Sequence, residues 1–477
     1  MDSGNLRAFL ELPYDELEEM NLGVKAKRLA RVPPEAAREE RLKYLTDETR
    51  IKALTVCFTA LEGRLHMLDY DKKFLVKSAD NLTFDGSSVR GFTQQHESDL
   101  RLVVDWRSFY WLPADVFGPG KVLAFAEVRS REGEPYPADM RTRLRQHTES
   151  MFAKDGTEAL VAVEIEGFVF RGKDAERRYP ETGRFDFVST GGYYHSLPGD
   201  ELRRFIDNAA EVQRTMGFGN EKDHPEVAPS QFEMNYGYTE ALIAADQIQL
   251  YKLLCRQVAQ NMDLTACFLP KPVTGVNGNG MHTNMSLRRA GKNLFYDAKG
   301  EDNLSAMGWN FIDRVLTAAP DICLILNSSV NAYRRLDPHF EAPNQIEASP
   351  INRGAMIRIP IGNEASARIE VRSVAPDANP YLSIYTLLKA GIEGPQGVTD
   401  GKRSRTRFLP DNIYEAMRIF TASKFVSETL GKEVQTRFAD LKLASAERCP
   451  KALGSQIKLA EIQFHHEVTN QYLWNQF

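Results

Sequence analysis

The chain has 477 residues, 42% of them hydrophobic and 26% charged, a length that exceeds one ordinary core and predicts two or three domains. Its net charge of −5 excludes a nucleic-acid footprint, and no run of apolar residues is long enough for a membrane span. The five cysteines (57, 255, 267, 323, 449) are scattered and form no Cys-x-x-Cys pair, and the start lacks the basic-then-apolar pattern of a secretory leader, so a cytoplasmic chain with reduced thiols is expected.

The first fifty residues are charged and helical in pattern: a helix over Asn5–Met20, then a second opened by Pro33-Pro34. From Ile51 the pattern shortens to strands at Ala53–Thr59, Arg64–Tyr70, Lys73–Lys77, Leu100–Val104 and Val122–Val128. Within this unit Phe84-Asp-Gly-Ser-Ser88 is a turn-rich loop with one carboxylate and two hydroxyls. Glu132-Gly-Glu-Pro-Tyr-Pro closes the unit, and Arg141–Lys154 reads as a helix.

Residues 159–170, Ala-Leu-Val-Ala-Val-Glu-Ile-Glu-Gly-Phe-Val-Phe, form a β-branched and aromatic strand. Alternation puts Glu164 and Glu166 on one face and Val163 and Ile165 in a core. Two readings stand: an edge strand with a wet face, or two carboxylates bridged by a divalent cation. Residues 172–200 are polar and irregular, and 201–217 are helical. Pro225 and Pro229 exclude a helix from His224 to Glu233, leaving extended chain that presents Glu226 and Glu233. A long helix is expected over Tyr238–Asn261, then a glycine-rich loop, Asn277-Gly-Asn-Gly-Met-His282, running into a strand. His282 is open to a structural role or a ligand role. In Arg368-Ile-Glu-Val-Arg372, one strand face carries Arg368, Glu370 and Arg372, either as an ion-pair ladder or as a row that holds metal and phosphate together. Asp411–Leu430, Glu433–Ala444 and Lys458–Leu473 close the chain as helices.

Hard oxygen donors with few nitrogens suit Mg²⁺ or Mn²⁺, and carboxylates with several arginines are the toolkit of phosphoryl transfer. No Walker-type loop or kinase signature is present. Taken together, Phe-Asp-Gly-Ser-Ser at 84–88, Glu-Ile-Glu at 164–166, Gly-Gly-Tyr at 191–193, His-Pro-Glu-Val-Ala-Pro-Ser-Gln-Phe-Glu at 224–233, Asn-Gly-Asn-Gly-Met-His at 277–282, Phe-Glu-Ala-Pro at 340–343, Asn-Arg-Gly-Ala-Met-Ile-Arg-Ile-Pro at 352–360 and Arg-Ile-Glu-Val-Arg at 368–372 resemble type I glutamine synthetases.

The resemblance implies an α+β chain: a helical extension at 1–50, an N-terminal β-grasp domain at 51–135, and a large catalytic domain at 136–477. The catalytic domain would be a curved antiparallel sheet forming a funnel backed by helices, with its helical C-terminal part from about 409. It implies ligation of ammonia to glutamate through γ-glutamyl phosphate, with ATP as co-substrate and two or three Mg²⁺ or Mn²⁺ per site. It further implies a homo-oligomer of two stacked rings, most often a dodecamer, with sites shared between neighbours.

By position, Glu166, Glu226 and Glu233 match one metal site, and Glu164, His282 and Glu370 the other. Asn277, Gly278, Arg335 and Arg372 match glutamate contacts; Arg353, Arg358 and Arg368, with Glu221 and Ser286, match nucleotide and phosphate contacts. Asp85, Ser88, Tyr193, Glu226 and Glu341 match an ammonium pocket, with Asp85 as proton acceptor and Glu341 closing over the acyl phosphate. Asn284 and Phe92 depart from the histidine and tryptophan common in relatives, and a short basic stretch between Gly391 and Leu409 replaces the adenylylated Asn-Leu-Tyr loop. The alternatives are a γ-glutamyl ligase that takes an amine or polyamine, and a non-catalytic synthetase-like scaffold.

Overall fold

The computed structural model describes residues 11–93, 98–195, 198–336, 342–397 and 407–466. Glu341, the first residues of the expected N-terminal helix and the end of the expected last helix lie outside them.

Two sheets organise the chain. The first has five strands in the order Leu65–Asp71, Ala53–Thr59, Lys121–Arg129, Asp99–Trp111, Leu82–Asp85. Ala53–Thr59 runs parallel to Lys121–Arg129, and the other pairs are antiparallel. This is the β-grasp domain. The expected strand at Lys73–Lys77 is instead a helix, Lys72–Ser78. Asp71 decides it: its carboxylate accepts the free N–H groups of Lys73 and Phe74 and so caps the first turn.

The second sheet carries Gln345–Ser349, Ala355–Arg358, Ile369–Val371, Met281–Arg289, Thr157–Arg171, Gln231–Tyr236 and Asn220–Pro225 along its main path. Its pairs are antiparallel except the edge pair Gln345–Ser349 with Ala355–Arg358. Helices Met140–Asp155, Ala241–Asn261, Ala306–Leu326 and Pro380–Glu393 supply the other half of the core. Their starts follow from side-chain caps: Asp139, Glu240, Ser305 and Asn379 each accept backbone N–H groups of the first turn. A short helix, Ala175–Thr182, sits in the stretch expected to be irregular, and the end of the chain forms one helix, Lys432–His466, where two were expected. Cys57, Cys255, Cys267 and Cys323 are buried free thiols.

The N-terminal extension forms helices Tyr14–Leu29 and Pro34–Asp47; the first begins after Pro13, well beyond Asn5. Its Asn21 donates to the carbonyls of Trp111 and Thr215 and accepts the Trp111 N–H, so one buried amide ties the first sheet to a helix of the catalytic domain. Arg28 Nη2 lies 2.8 Å from Asp246 Oδ2. Asp246 also pairs with Arg141 and accepts from Tyr381 Oη, all in the interior.

Candidate active site

Register alone brings distant segments together. Thr157–Arg171 is the central strand, and its outward carboxylates are Glu164 and Glu166, with Val163 and Ile165 in the core. Antiparallel pairing sets His282 opposite Glu164 and Glu233 opposite Glu166. One strand further out, Glu370 stands opposite both Asn284 and Arg358, while His224 stands opposite Glu233. Four carboxylates and two imidazoles thereby share one face.

They form two clusters. Ligand atoms of Glu164, His282 and Glu370 all lie within 4.8 Å of one another, as do those of His224, Glu226 and Glu233. The first is the expected set. In the second, His224 joins Glu226 and Glu233 within that span, while Glu166 stands opposite Glu233 on the neighbouring strand. Glu166 Oε2 accepts the Gly280 N–H at 2.6 Å, and its charge bears on Glu226. His224 was legible only as a residue two positions before Glu226 in extended chain, which puts both on one face.

The electrostatics are those of a cation site. Burial, then Glu166 and Glu233, push the Glu226 carboxyl up to about 8. Burial and Glu233 likewise raise Glu166. Burial opposes ionisation of Glu164 too, but the His282 hydrogen bond and charge, Asn284 and Lys222 outweigh it and hold Glu164 at about 2. Both imidazoles are held above their usual range despite burial: His282 by Glu164, Glu166 and Glu370, and His224 by Glu233, Pro225 O and Glu226. Crowded acids of this kind are relieved by a hard divalent cation, and carboxylate oxygens with one imidazole per cluster fit Mg²⁺ or Mn²⁺.

Arginines ring the clusters. Glu370 takes Arg358 Nη1 at 3.0 Å and Arg372 Nε at 3.3 Å. Arg335 donates to Arg372 O at 2.9 Å, and burial lowers its guanidinium to about 10. Gly280 has no room for a side chain: a Cβ would stand 2.6 Å from Arg335 Nη2 and 2.7 Å from His282 Nε2. A cavity of about 330 Å³ is lined by Glu164, His282 and Glu370 of the first cluster and Glu226 and Glu233 of the second, together with Glu166, Tyr193, Asn277, Gly278, Arg335, Arg353, Arg358 and Arg372. A second cavity of about 300 Å³ shares Glu164 and holds Glu221, Ser286 and Arg368. Asn284 spans the gap: its Nδ2 donates to Glu164 and its Oδ1 accepts from Arg368 Nε.

Asp85 and Ser88 line neither cavity within one chain. Asp85 ends its strand, exposed, accepting from Ser87 N, Ser87 Oγ and Ser88 Oγ, which depress its pKa. Ala342 and Pro343, immediately after Glu341, line the first cavity.

Comparison with known proteins agrees with this architecture. Residues 50–128 match the glutamine synthetase β-grasp domain and residues 137–458 the glutamine synthetase catalytic domain. The fold and the matched domains define the chain as a ligase. Glutamine synthetases of Staphylococcus epidermidis and Staphylococcus aureus are each 33% identical over 435 residues, covering 86% of this chain and 95% of theirs. This chain belongs to the glutamine synthetase family. Among solved structures, a GmaS/ADP complex aligns with a TM-score of 0.75 and 28% identity over 86% of this chain and 96% of that one. The Plasmodium falciparum glutamine synthetase, at 19% identity and a TM-score of 0.76 over 87% of this chain and 96% of that one, shares the fold.

Proposed function

We propose that this chain joins ammonia to the γ-carboxylate of L-glutamate through γ-glutamyl phosphate, giving L-glutamine, ADP and phosphate. One observation carries the reading: two acid–imidazole clusters, each spanning no more than 4.8 Å, share a cavity with four arginines. A carboxylate resists attack by ammonia until phosphorylated, and that step needs negative charge spread over cations. Bound Mg²⁺ or Mn²⁺, two or three per site, would supply electrophilic stabilisation of the phosphoryl group. Glu164, His282 and Glu370 would hold one ion; Glu226 and Glu233, with Glu166 or His224, would hold another.

Asn277, Gly278, Arg335 and Arg372 would seat glutamate. Arg353, Arg358 and Arg368 would contact phosphates, with Glu221 and Ser286 toward the nucleoside of ATP. Asp85, with Ser88, Tyr193, Glu226 and Glu341, would form the ammonium pocket. The hydrogen bonds that depress Asp85 keep it an anion that attracts ammonium before taking its proton. Because Asp85 lines neither cavity of its own chain, we assign it to a neighbouring subunit's site in a homo-oligomer of two stacked rings, a dodecamer. The working boundaries are 1–50, 51–135 and 136–477, and the working compartment is the cytoplasm.

A second reading is a γ-glutamyl ligase that takes an alkylamine. It is favoured by the GmaS neighbours at 28% identity and by the exposed Tyr193, Tyr194 and Val227 side chains at the cavity wall. Glutamate-dependent phosphate release against ammonia, methylamine, ethanolamine and putrescine separates the two. The reading requires the highest kcat/KM with ammonia; a preference for a larger amine transfers the chain to the second reading.

A further inference from the structure

Lys222 was not among the residues singled out in the sequence, yet it stands on the wall of the site. In the hairpin of Asn220–Pro225 and Gln231–Tyr236 it pairs with Asn235, two residues along from the pairing of His224 with Glu233. Lys222 lines the first cavity together with Glu164 and Glu370. Among the described residues its ammonium makes no hydrogen bond or ion pair within 4.0 Å, its charge acting on Glu164 from further away, whereas Arg335, Arg358, Arg368 and Arg372 are all engaged at close range.

Asn235 adds an independent observation. It is buried, lines the second cavity, and its Oδ1 has no hydrogen-bond partner among the described residues. Buried polar atoms of this kind are normally satisfied, so this acceptor marks a place on the wall where a hydrogen-bond donor is missing. Glu164 lines both cavities. The Lys222–Asn235 pair therefore borders the passage between the acid–imidazole clusters and the pocket of Ser286 and Arg368.

Charge identifies the occupant. A divalent cation beside Glu164 would repel the Lys222 ammonium unless an anion lay between them. A polyphosphate reaching from the second cavity to the clusters is such an anion. We infer that Lys222 binds the polyphosphate tail of the nucleotide. The inference rests on the proposed nucleotide-dependent function. It adds a cation that does not belong to the arginine set: a point charge on a flexible stem, able to follow a phosphate as it moves.

The test is equilibrium binding by calorimetry, with Mg²⁺ and without glutamate, of the non-hydrolysable β,γ-imido analogue of ATP, of ADP and of AMP. Lys222→Gln should weaken the analogue and ADP by roughly tenfold or more, the scale of a lost charge-assisted hydrogen bond, and AMP by less than about threefold. Lys222→Arg should recover most of the loss, and the KM for glutamate should stay within about twofold of wild type in both variants. Melting curves that match wild type would show that the exposed substitution leaves the fold intact. Unchanged affinity for the analogue in Lys222→Gln, equal losses for AMP and the analogue, or a change confined to the glutamate KM would each overturn the inference. A wild-type protein that binds none of the three would overturn the functional reading itself, so the two failures are distinguishable.

Discussion

Glu370→Gln separates the chemistry of the clusters from their packing. The Glu370 side chain is 2% exposed, accepts from Arg358 Nη1 at 3.0 Å and forms an ion pair with Arg372 Nε at 3.3 Å, with His282 Nδ1 at 3.4 Å from the same oxygen as Arg372. Glutamine keeps the shape and one acceptor oxygen but removes the charge and turns an NH₂ toward a cation. The Arg358 side chain is 45% exposed, so water screens its share to about 1 kcal/mol or less. Arg372 is buried, so its ion pair with Glu370 is screened less, at about 2 kcal/mol. The loss of stability should therefore be about 2–3 kcal/mol, a measurable shift of the denaturation midpoint in a protein that stays folded. The loss of a hard anionic donor is far more serious for function. Altering a mere outer-shell partner of a metal typically costs about 10–100-fold, so glutamate-dependent ADP formation should fall at least about a hundredfold. The assay is ADP formation across a Mg²⁺ series, with denaturation curves on the same samples. A folded variant within about threefold of the wild-type rate would refute the assignment of Glu370 to a metal.

Three further outcomes are expected. In metal-free protein, Glu226 is raised from 4.5 to about 8, so the fold holds it protonated where the unfolded chain ionises. Stability should fall as pH rises across that interval, by up to about 1.4 kcal/mol per pH unit, with the raised His224 and His282 acting in the same sense above their unfolded range. Melting scans with EDTA should show the slope from pH 5 to 8, and saturating Mg²⁺ should flatten it; Glu164, held at about 2, contributes only in acid, below about 4.5. Arg28→Ala removes an ion pair whose side chains are 8% and 0% exposed, but Asp246 keeps Arg141 and Tyr381. A loss of about 1–3 kcal/mol in urea denaturation is expected, with KM values unchanged. Chains carrying Asp85→Ala and chains carrying Glu341→Ala, dissociated and reassembled in equal parts, should regain roughly a quarter of wild-type glutamine formation if sites form between neighbours; no gain in oligomers shown to be mixed would place Asp85 and Glu341 in one chain's site.

Much of the site could be read from alternation. Glu164 and Glu166, and Glu370 with Arg372, occupy one face of their strands because the residues between them belong to the core. What alternation could not give was register. Nothing local to His224 says that it sits opposite Glu233 and within reach of that cluster. Lys222 was hidden for the same reason: a lone lysine in a polar stretch looks solvated until the hairpin aligns it with Asn235. In the β-grasp domain, Phe74-Leu-Val-Lys77 has strand composition, yet the Asp71 cap and the packing of Leu75 make it a helix. The N-terminal extension looked like charged surface, but its Asn21 and Arg28 are specific interior contacts, formed with partners far along the chain.

Oxygen transfer from glutamate to phosphate tests the central claim most directly. With both γ-carboxylate oxygens of L-glutamate carrying ¹⁸O, ATP and ammonia unlabelled, attack of the carboxylate on the terminal phosphoryl group places one labelled oxygen on phosphorus. Ammonia then displaces that phosphate from the acyl carbon, with the γ-oxygen leaving on it. Mass spectrometry of the released phosphate should therefore show one ¹⁸O per molecule, matched by one ¹⁸O retained in the amide of glutamine. Unlabelled phosphate, released at the same rate with or without glutamate, would mean that this funnel hydrolyses ATP without activating the carboxylate, and would contradict the account.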